Sequence, residues 1–542
     1  MKQYLEQLFL TASESLSYLR YLDFIIEVPK NEDHGDLSAN AAFLLSKALK
    51  RNPREIAAEI VKHLPISDTI IEKIEIAGPG FINFFFTHEY KLQIIQQVLS
   101  QKDQFGRSTK YAGKTANVEF VSANPTGPLT VGHGRNSVIG DIVANLLASQ
   151  GYSVTREYYF NNAGRQMRVL GDSIRLRYLE LLGDQVTFPD EYYQGGYIID
   201  IAKSLLTEYG DSLKNEPAEG VFKERAEKEI FADIKGTLER LGVKHDVFYN
   251  EHSLYEEGRI DQVLSAFRNK GIAYKYEGAE WLMLASFANR ENKVIVKSTG
   301  EPTYRLPDIA YHITKFERGY DLMVDLFGSD HTDTVPDVLA SVRLLGYEPE
   351  RVKVLIHQFV TILQDGKVVK ISTRKANYVT LDDLIEWVGA DVVRYFFAMR
   401  SISSHMNFDL DLAKKQSDEN PVFYMQYAHA RICSILRMTA QENLAASTEN
   451  LALLSTPEEV RLMKKLMNYE EEVWMSARNF DIPRLCNYLE DLAATFHRFY
   501  TVCRIMGSEK NLAEARIALV EAVRITMQNG LSILGVSAPE KM

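Results

Sequence analysis

The stretch that decides the fold runs Asn117-Val118-Glu119-Phe120-Val121-Ser122-Ala123-Asn124-Pro125-Thr126-Gly127-Pro128-Leu129-Thr130-Val131-Gly132-His133-Gly134-Arg135. Asn117 to Ser122 is mostly apolar and reads as a buried strand. A Pro/Gly loop follows from Ala123 to Gly134, then a helix from about Asn136 to Gln150. Val154 to Phe160 reads as another strand. Strand, loop, helix, strand in this order is a βαβ unit, which calls for a parallel sheet. The loop also carries chemistry. A helix N-terminus presents free N–H groups and a positive dipole end, which suits phosphate. Gly132 lets a flat base or a phosphate approach the backbone, and His133 can donate to phosphate oxygens. A plain tight turn with a surface histidine is the competing reading.

Upstream, the first hundred residues read as a small α+β domain. Asn40 to Leu49 and Pro53 to Leu64 are helical by pattern, with Pro53 suited to a first helical turn. Ile71 to Ile76 and Phe81 to Phe86 read as strands around Gly78-Pro79-Gly80. Ser100 to Lys114 is polar and reads as a linker. Downstream, Asp184 to Asn269 is helical and charged, an insertion between two halves of the sheet. Strands return at Trp281 to Leu284, Val294 to Lys297, Leu322 to Phe327 and Val352 to His357. From about Leu410 onward the pattern is helical, with apolar faces such as Leu485, Leu489, Leu492 and Phe496, so a bundle is expected. The fold class is multidomain: an α+β N-terminal domain (1–107), an α/β Rossmann-type core with a helical insertion near 184–275 (108–411), and an all-α C-terminal bundle (412–542).

Composition bounds the function. The 542 residues are 46% hydrophobic and 11% aromatic, so a sizeable core forms and disorder is not the main state. The 62 basic and 73 acidic residues leave a net charge of −11, which excludes a generally basic nucleic-acid binder but not a local basic face. Cys433, Cys486 and Cys503 form no C-x-x-C pair, against a zinc ribbon or disulfide framework, and no structural metal is expected. Met1 to Leu16 contains Glu6 and Glu14 and does not read as a signal peptide. No stretch approaches the roughly 20 apolar residues of a membrane span. A cytoplasmic location follows from these readings.

Two basic segments offer phosphate-binding chemistry. Gly113-Lys114-Thr115 looks like the end of a P-loop, but Ser108 stands where the first glycine belongs and a strand follows instead of a helix. Lys370-Ile371-Ser372-Thr373-Arg374-Lys375 is a basic, hydroxyl-rich loop between the last sheet strand and the helical region. Such a loop could clamp a leaving pyrophosphate; in isolation a solvated charge run explains it better.

Together, Thr130-Val131-Gly132-His133 and Lys370-Ile371-Ser372-Thr373-Arg374 form the signature pair of class I aminoacyl-tRNA synthetases. The surrounding words are more specific. They include His34-Gly35-Asp36-Leu37, Gly78-Pro79-Gly80-Phe81-Ile82-Asn83 and the opening stretch itself. Asn161-Asn162-Ala163-Gly164, Val379-Thr380-Leu381-Asp382-Asp383-Leu384, Asn420 to Arg431 and Ala538-Pro539-Glu540-Lys541-Met542 continue the match. From end to end the sequence resembles the arginyl-tRNA synthetases.

The resemblance implies an N-terminal domain that contacts the tRNA elbow, a class I catalytic core and a helical anticodon-binding domain. It implies L-arginine, ATP with Mg2+, and tRNA(Arg) as partners, activation that needs bound tRNA, and a monomer. Gly132 would leave room for adenine. Thr130 and His133 would hold ATP phosphates; Lys370, Ser372 and Arg374 would stabilise pyrophosphate. A guanidinium calls for carboxylates, preferably in bidentate geometry. The matching positions are Glu119, Asn124, Tyr304, Asp308 and Asp330. Asp308 would read the guanidinium with Tyr304 against it, and Asn124 would hold the amino-acid end. The competing readings are a core ion pair for Glu119 and a helix N-cap for Asp308. For tRNA the candidates are Tyr424, Tyr427, His429, Arg431 and Arg498, aromatic and basic residues able to stack bases and take phosphate. Aromatic core packing competes for several of them.

Three positions depart from the common pattern. Thr130 replaces the first histidine of the turn, Thr373 replaces the usual lysine of the basic loop, and Asn162 replaces aspartate. They raise a rival reading, a non-catalytic tRNA-binding protein on the same scaffold, against which stand His133, Lys370, Asn124 and Asp308. A second rival is another class I synthetase, but three scattered cysteines make no zinc-bound thiol site for a cysteinyl enzyme.

Overall fold

The computed structural model describes residues 1–20, 22–29, 31–288, 290–369 and 379–542. The expectations placed on Lys370, Ser372, Thr373, Arg374 and Lys375 lie outside the described residues.

A five-stranded parallel sheet positions the site. Its spatial order is Val352–His357, Leu322–Gly328, Thr115–Glu119, Ser153–Phe160, Val247–Asn250. The chain therefore winds outward from Thr115–Glu119 in both directions. In a sheet of this kind a ligand is placed beyond the carboxyl ends of the strands where the winding reverses, here Thr115–Glu119 and Leu322–Gly328. The helix Val131–Ser149 crosses behind this point and buries Val138, Ile139, Ile142 and Val143 against the sheet. It starts earlier than the expected Asn136, because Thr130 caps it: the Thr130 hydroxyl accepts from the His133 N–H at 3.4 Å.

Two strand expectations are corrected. Val247–Asn250 belongs to the parallel sheet although it lies in the segment read as wholly helical; its four residues are all half-buried and show no alternation. Ala279–Leu282 and Lys293–Val296 do not join that sheet. They pair antiparallel with each other, and Ala273–Tyr276 extends them into a separate three-stranded sheet.

The N-terminal part forms a four-stranded antiparallel sheet under the helices Lys2–Ser15, Ala41–Leu49 and Pro53–His63, with a core of its own. Asp36 ties it to the rest. Its carboxylate accepts the Phe86 N–H at 2.7 Å and pairs with Lys91 at 2.9 Å and with Lys464 of the C-terminal helices at 2.7 Å. The helix His88–Gln101 buries Ile94, Ile95 and Val98 in the large core shared by the sheet and the C-terminal helices.

Pro421–Gln441, Pro457–Asn479, Ile482–Val502 and Lys510–Leu534 are the long C-terminal helices. The last corrects another expectation: its 25 residues are long and apolar enough to cross a membrane. Two-thirds of that apolar window is buried within the fold, and a helix packed on nearly all sides needs no polar face. The tail beyond it is fastened. The Ser537 N–H donates to Asp391 at 3.0 Å, and Gln426 Nε2 donates to the Ser537 carbonyl at 3.1 Å.

Candidate active site

Two groups of side chains lie at these strand ends, the glycine-histidine turn and a set of carboxylates. On the first, His133 Nδ1 accepts from the Thr130 backbone N–H at 3.1 Å and lies 3.2 Å from the Thr130 hydroxyl oxygen. Nδ1 is thereby committed as an acceptor, so the neutral ring carries its proton on Nε2, which is left to donate. Burial, with the neighbouring His357, pushes the imidazole down to about 4, so it is neutral at pH 7. A Cβ built on Gly132 would meet nothing closer than Thr130 Oγ1 at 3.6 Å. Its missing side chain is not demanded by packing and leaves the turn open to a ligand. Gly134 differs: a Cβ there would fall 2.5 Å from Leu381 Cδ1.

The turn is braced from behind. Arg135 is fully buried, and its guanidinium donates to the carbonyls of Gln358 at 2.8 Å, Ser404 at 2.9 Å and Ser401 at 2.9 Å. Desolvation brings it down to about 10, so it stays charged. Thr130 also pairs across an isolated bridge with Thr380, and the Leu381 N–H donates to the Leu129 carbonyl at 2.8 Å. The segment from Val379 onward is thus joined to the glycine-histidine turn.

On the other side, Tyr304, Asp308 and His312 follow one another at four-residue spacing along one face of the helix Arg305–Glu317. Tyr304 is 84% exposed and Asp308 half-buried. Desolvation pushes the Asp308 carboxyl up to about 7; His312 and Lys315 oppose the rise, while Glu251 and Glu119 add to it. Asp308 is not an N-cap, since the helix begins three residues before it. Glu119 is buried, pairs with Lys315 and accepts from Ser122 Oγ at 3.0 Å. Lys315 also pairs with Asp325 at 2.7 Å, and Asp325 faces His312 Nε2 at 3.0 Å. His312 Nδ1 donates to the Asp308 carbonyl at 2.7 Å. Burial disfavours the charged lysine, but Asp325 and Glu119 outweigh it and raise its affinity for the proton.

Asn124 is joined to the carboxylate group through Asn161. Its Oδ1 accepts from the Asn161 N–H at 3.0 Å, and its Nδ2 donates to Gln166 at 3.0 Å. Asn161 Nδ2 in turn donates to Glu251 at 2.7 Å, and Glu251 also accepts from Tyr159 OH at 2.7 Å. Burial raises the Glu251 carboxyl. Asp330 is exposed just past Leu322–Gly328 and acts electrostatically on His133 and His357, on the side of the glycine-histidine turn. Glu251 and Gln166 were missed from sequence. Glu251 follows the short strand that pattern reading missed, and Gln166 had no marker beyond its place after Asn161-Asn162-Ala163-Gly164. Asn162, the departure from the usual aspartate, donates to Glu227 at 2.7 Å.

On the C-terminal helices the candidates divide. Tyr424 packs against His497 with ring centroids 5.3 Å apart, Tyr427 lies 6.4 Å from the same ring, and Arg431 sits 4.8 Å over Tyr500. Arg431 and Arg498 are exposed. His429 turns inward instead; it is buried and its Nδ1 donates to the Pro539 carbonyl at 2.9 Å.

A doubly wound parallel sheet with a glycine-histidine turn at its switch point is the architecture of the class I aminoacyl-tRNA synthetases, and the model of their catalytic domain, "tRNA synthetases class I (R)", matches residues 94–391. "Arginyl tRNA synthetase N terminal domain" matches residues 2–86 and "DALR anticodon binding domain" residues 425–542. The chain is 52% identical over 527 residues to an arginine–tRNA ligase of Chlorobium phaeovibrioides, covering 95% of this chain and 96% of the relative. It is 49% identical over 522 residues to an arginine–tRNA ligase of Desulfotalea psychrophila, covering 96% and 95%. The chain belongs to the arginyl-tRNA synthetase family. In fold it resembles the arginyl-tRNA synthetase of Thermus thermophilus with a TM-score of 0.81, at 22% identity and full coverage of both chains.

Proposed function

We infer that this chain activates L-arginine with ATP and esterifies it to the 3′ end of tRNA(Arg). The observation that carries this reading is the pairing of two half-sites at one switch point. Asp308, Glu251 and Glu119 make one wall acidic, complementary to a guanidinium. The Thr130–His133 turn supplies a helix N-terminus and a neutral N–H donor for phosphate.

The reaction begins with attack of the arginine carboxylate on the α-phosphorus of ATP; a P–O bond forms as the bond to pyrophosphate breaks. Little proton transfer is involved, so rate comes from positioning and charge stabilisation. Asp308 takes the guanidinium, with Tyr304 closing over it. Asn124 holds the amino-acid end. Glu119, fixed by Lys315, adds to the negative field. Thr130 and His133 take phosphate oxygens, Gly132 accommodates adenine, and Asp330 borders the nucleotide. Magnesium enters with ATP, as part of that substrate. Lys370, Ser372 and Arg374 are proposed, from sequence alone, to receive the pyrophosphate. Tyr424, Tyr427, Arg431 and Arg498 offer a surface to the tRNA, while His429 supports it by anchoring the tail.

The finer parts of the reading are a cytoplasmic monomer, no structural metal, activation that waits for tRNA, and folding units at 1–107, 108–411 and 412–542. The test of the main reading is charging of tRNA(Arg) with radiolabelled amino acid. Base-labile arginyl-tRNA must form with arginine and ATP, and not with lysine or citrulline. Equal charging with lysine, or binding of tRNA(Arg) with no charging, would remove it.

A further inference from the structure

Val121 and Ser122, just past the first sheet strand, both occupy the left-handed region, at φ of 69° and 45°. A β-branched residue there is rare and persists only where its surroundings over-determine it. The buried Asn136 supplies much of that constraint. Its Oδ1 accepts the Val121 N–H at 2.6 Å, and its Nδ2 donates to the Leu326 carbonyl at 3.0 Å. One side chain thus links the chain just past Thr115–Glu119 to the neighbouring strand Leu322–Gly328. Ser122 is fixed on its other side. Its Oγ donates to Glu119 at 3.0 Å and accepts from the Tyr159 N–H at 3.2 Å. Asn124 follows two residues after this turn, so the path of the turn sets where its side chain points.

We propose that Asn136 is a positioning residue for arginine: by clamping the strained Val121–Ser122 turn it aims Asn124 at the amino-acid substrate. This rests on the reading of the site as an arginine-activating centre. Asn136 lies on the same helix as the phosphate-facing turn, one turn beyond His133. The helix itself does not depend on the Asn136 side chain, so the nucleotide half-site stays in place when that side chain is removed. The arginine half-site does not.

The test measures KM for arginine and for ATP, kcat in tRNA charging, and thermal unfolding, for the full-length wild type, Asn136→Ala, Val121→Gly and the double variant. Asn136→Ala raises KM for arginine about tenfold or more and leaves KM for ATP within about twofold. Glycine adopts the left-handed region freely, so Val121→Gly alone moves KM for arginine by less than about threefold. In that background the penalty of Asn136→Ala shrinks to about threefold or less. Parallel rises in both KM values, a tenfold penalty that persists beside Val121→Gly, or a lower melting temperature with unchanged KM for arginine would each overturn the proposal. Should Asn136→Ala alone not fold, the double variant against Val121→Gly carries the comparison, and a tenfold gap between them overturns it. A wild type that charges nothing with arginine is a separate result, seen before any variant; it removes the functional reading, and the inference with it.

Discussion

His133 Nδ1 accepts a hydrogen bond from the Thr130 backbone N–H at 3.1 Å, and this contact commits the ring to the tautomer that donates from Nε2. Desolvation holds its pKa near 4. The imidazole is therefore neutral above about pH 5, and its donor role does not change through neutrality. Nitrogen NMR of labelled histidine is expected to show an Nε2-protonated ring that does not titrate between pH 6 and 8. Replacing His133 with alanine removes a donor to developing charge and costs about 10²–10³ in kcat. A ring that titrates near pH 6.5 would contradict the geometry.

Asp308 carries the opposite shift. Its carboxyl is pushed up to about 7, chiefly by desolvation. A guanidinium binds the ionised form, so arginine must displace the proton. The sign follows: below pH 7 the free site is protonated and binds weakly, and above it binding strengthens and levels off. KM for arginine should fall as pH rises from 6 to 8, with release of a proton on binding. Asp308→Asn should flatten that dependence and raise KM for arginine about 10²-fold. A KM for arginine independent of pH in the wild type would count against this assignment.

The two halves of the site differ in how much of them could be read from residues alone. Gly132 and His133 sit on a βαβ pattern whose loop chemistry suggests a phosphate site, and the fold sets them at the start of the helix that follows Thr115–Glu119. Asp308 stood out only through the family resemblance; by local pattern it competed as a helix N-cap, and the helix in fact begins three residues before it. Glu251 was hidden because Val247–Asn250 is short, half-buried and without alternation. The engagement of Glu119 with Lys315, 196 residues away along the chain, follows from strand order and not from local pattern. His429 illustrates the same limit, since only the folded tail makes it an internal anchor.

Asn162 stands where the family pattern carries aspartate, and the structure supplies a reason: its Nδ2 donates to Glu227 at 2.7 Å. Asn162→Asp would remove the donor and set two carboxylates together. It should lower stability by about 1–3 kcal/mol, and a second change, Glu227→Gln, should restore most of the loss. Thermal unfolding of the two single variants and the double variant checks this. A loss that Glu227→Gln does not relieve would show that the pair is not the cause.

Asp36 joins the N-terminal sheet to Lys91 and Lys464 at 2.9 Å and 2.7 Å. Asp36→Asn leaves two cations without their partner and should cost about 3–5 kcal/mol. Limited proteolysis should then cut near residue 87 while the larger core stays intact. Resistance equal to wild type would place the docking energy elsewhere.

Arginine-dependent exchange of pyrophosphate into ATP, run with and without tRNA(Arg), reports on arginine activation itself. Exchange should require arginine and appear only when tRNA(Arg) is present. Exchange with arginine alone would discard the tRNA requirement and keep the enzyme. No exchange in either condition, from folded protein that still binds tRNA(Arg), would remove arginine activation and leave a tRNA-binding scaffold.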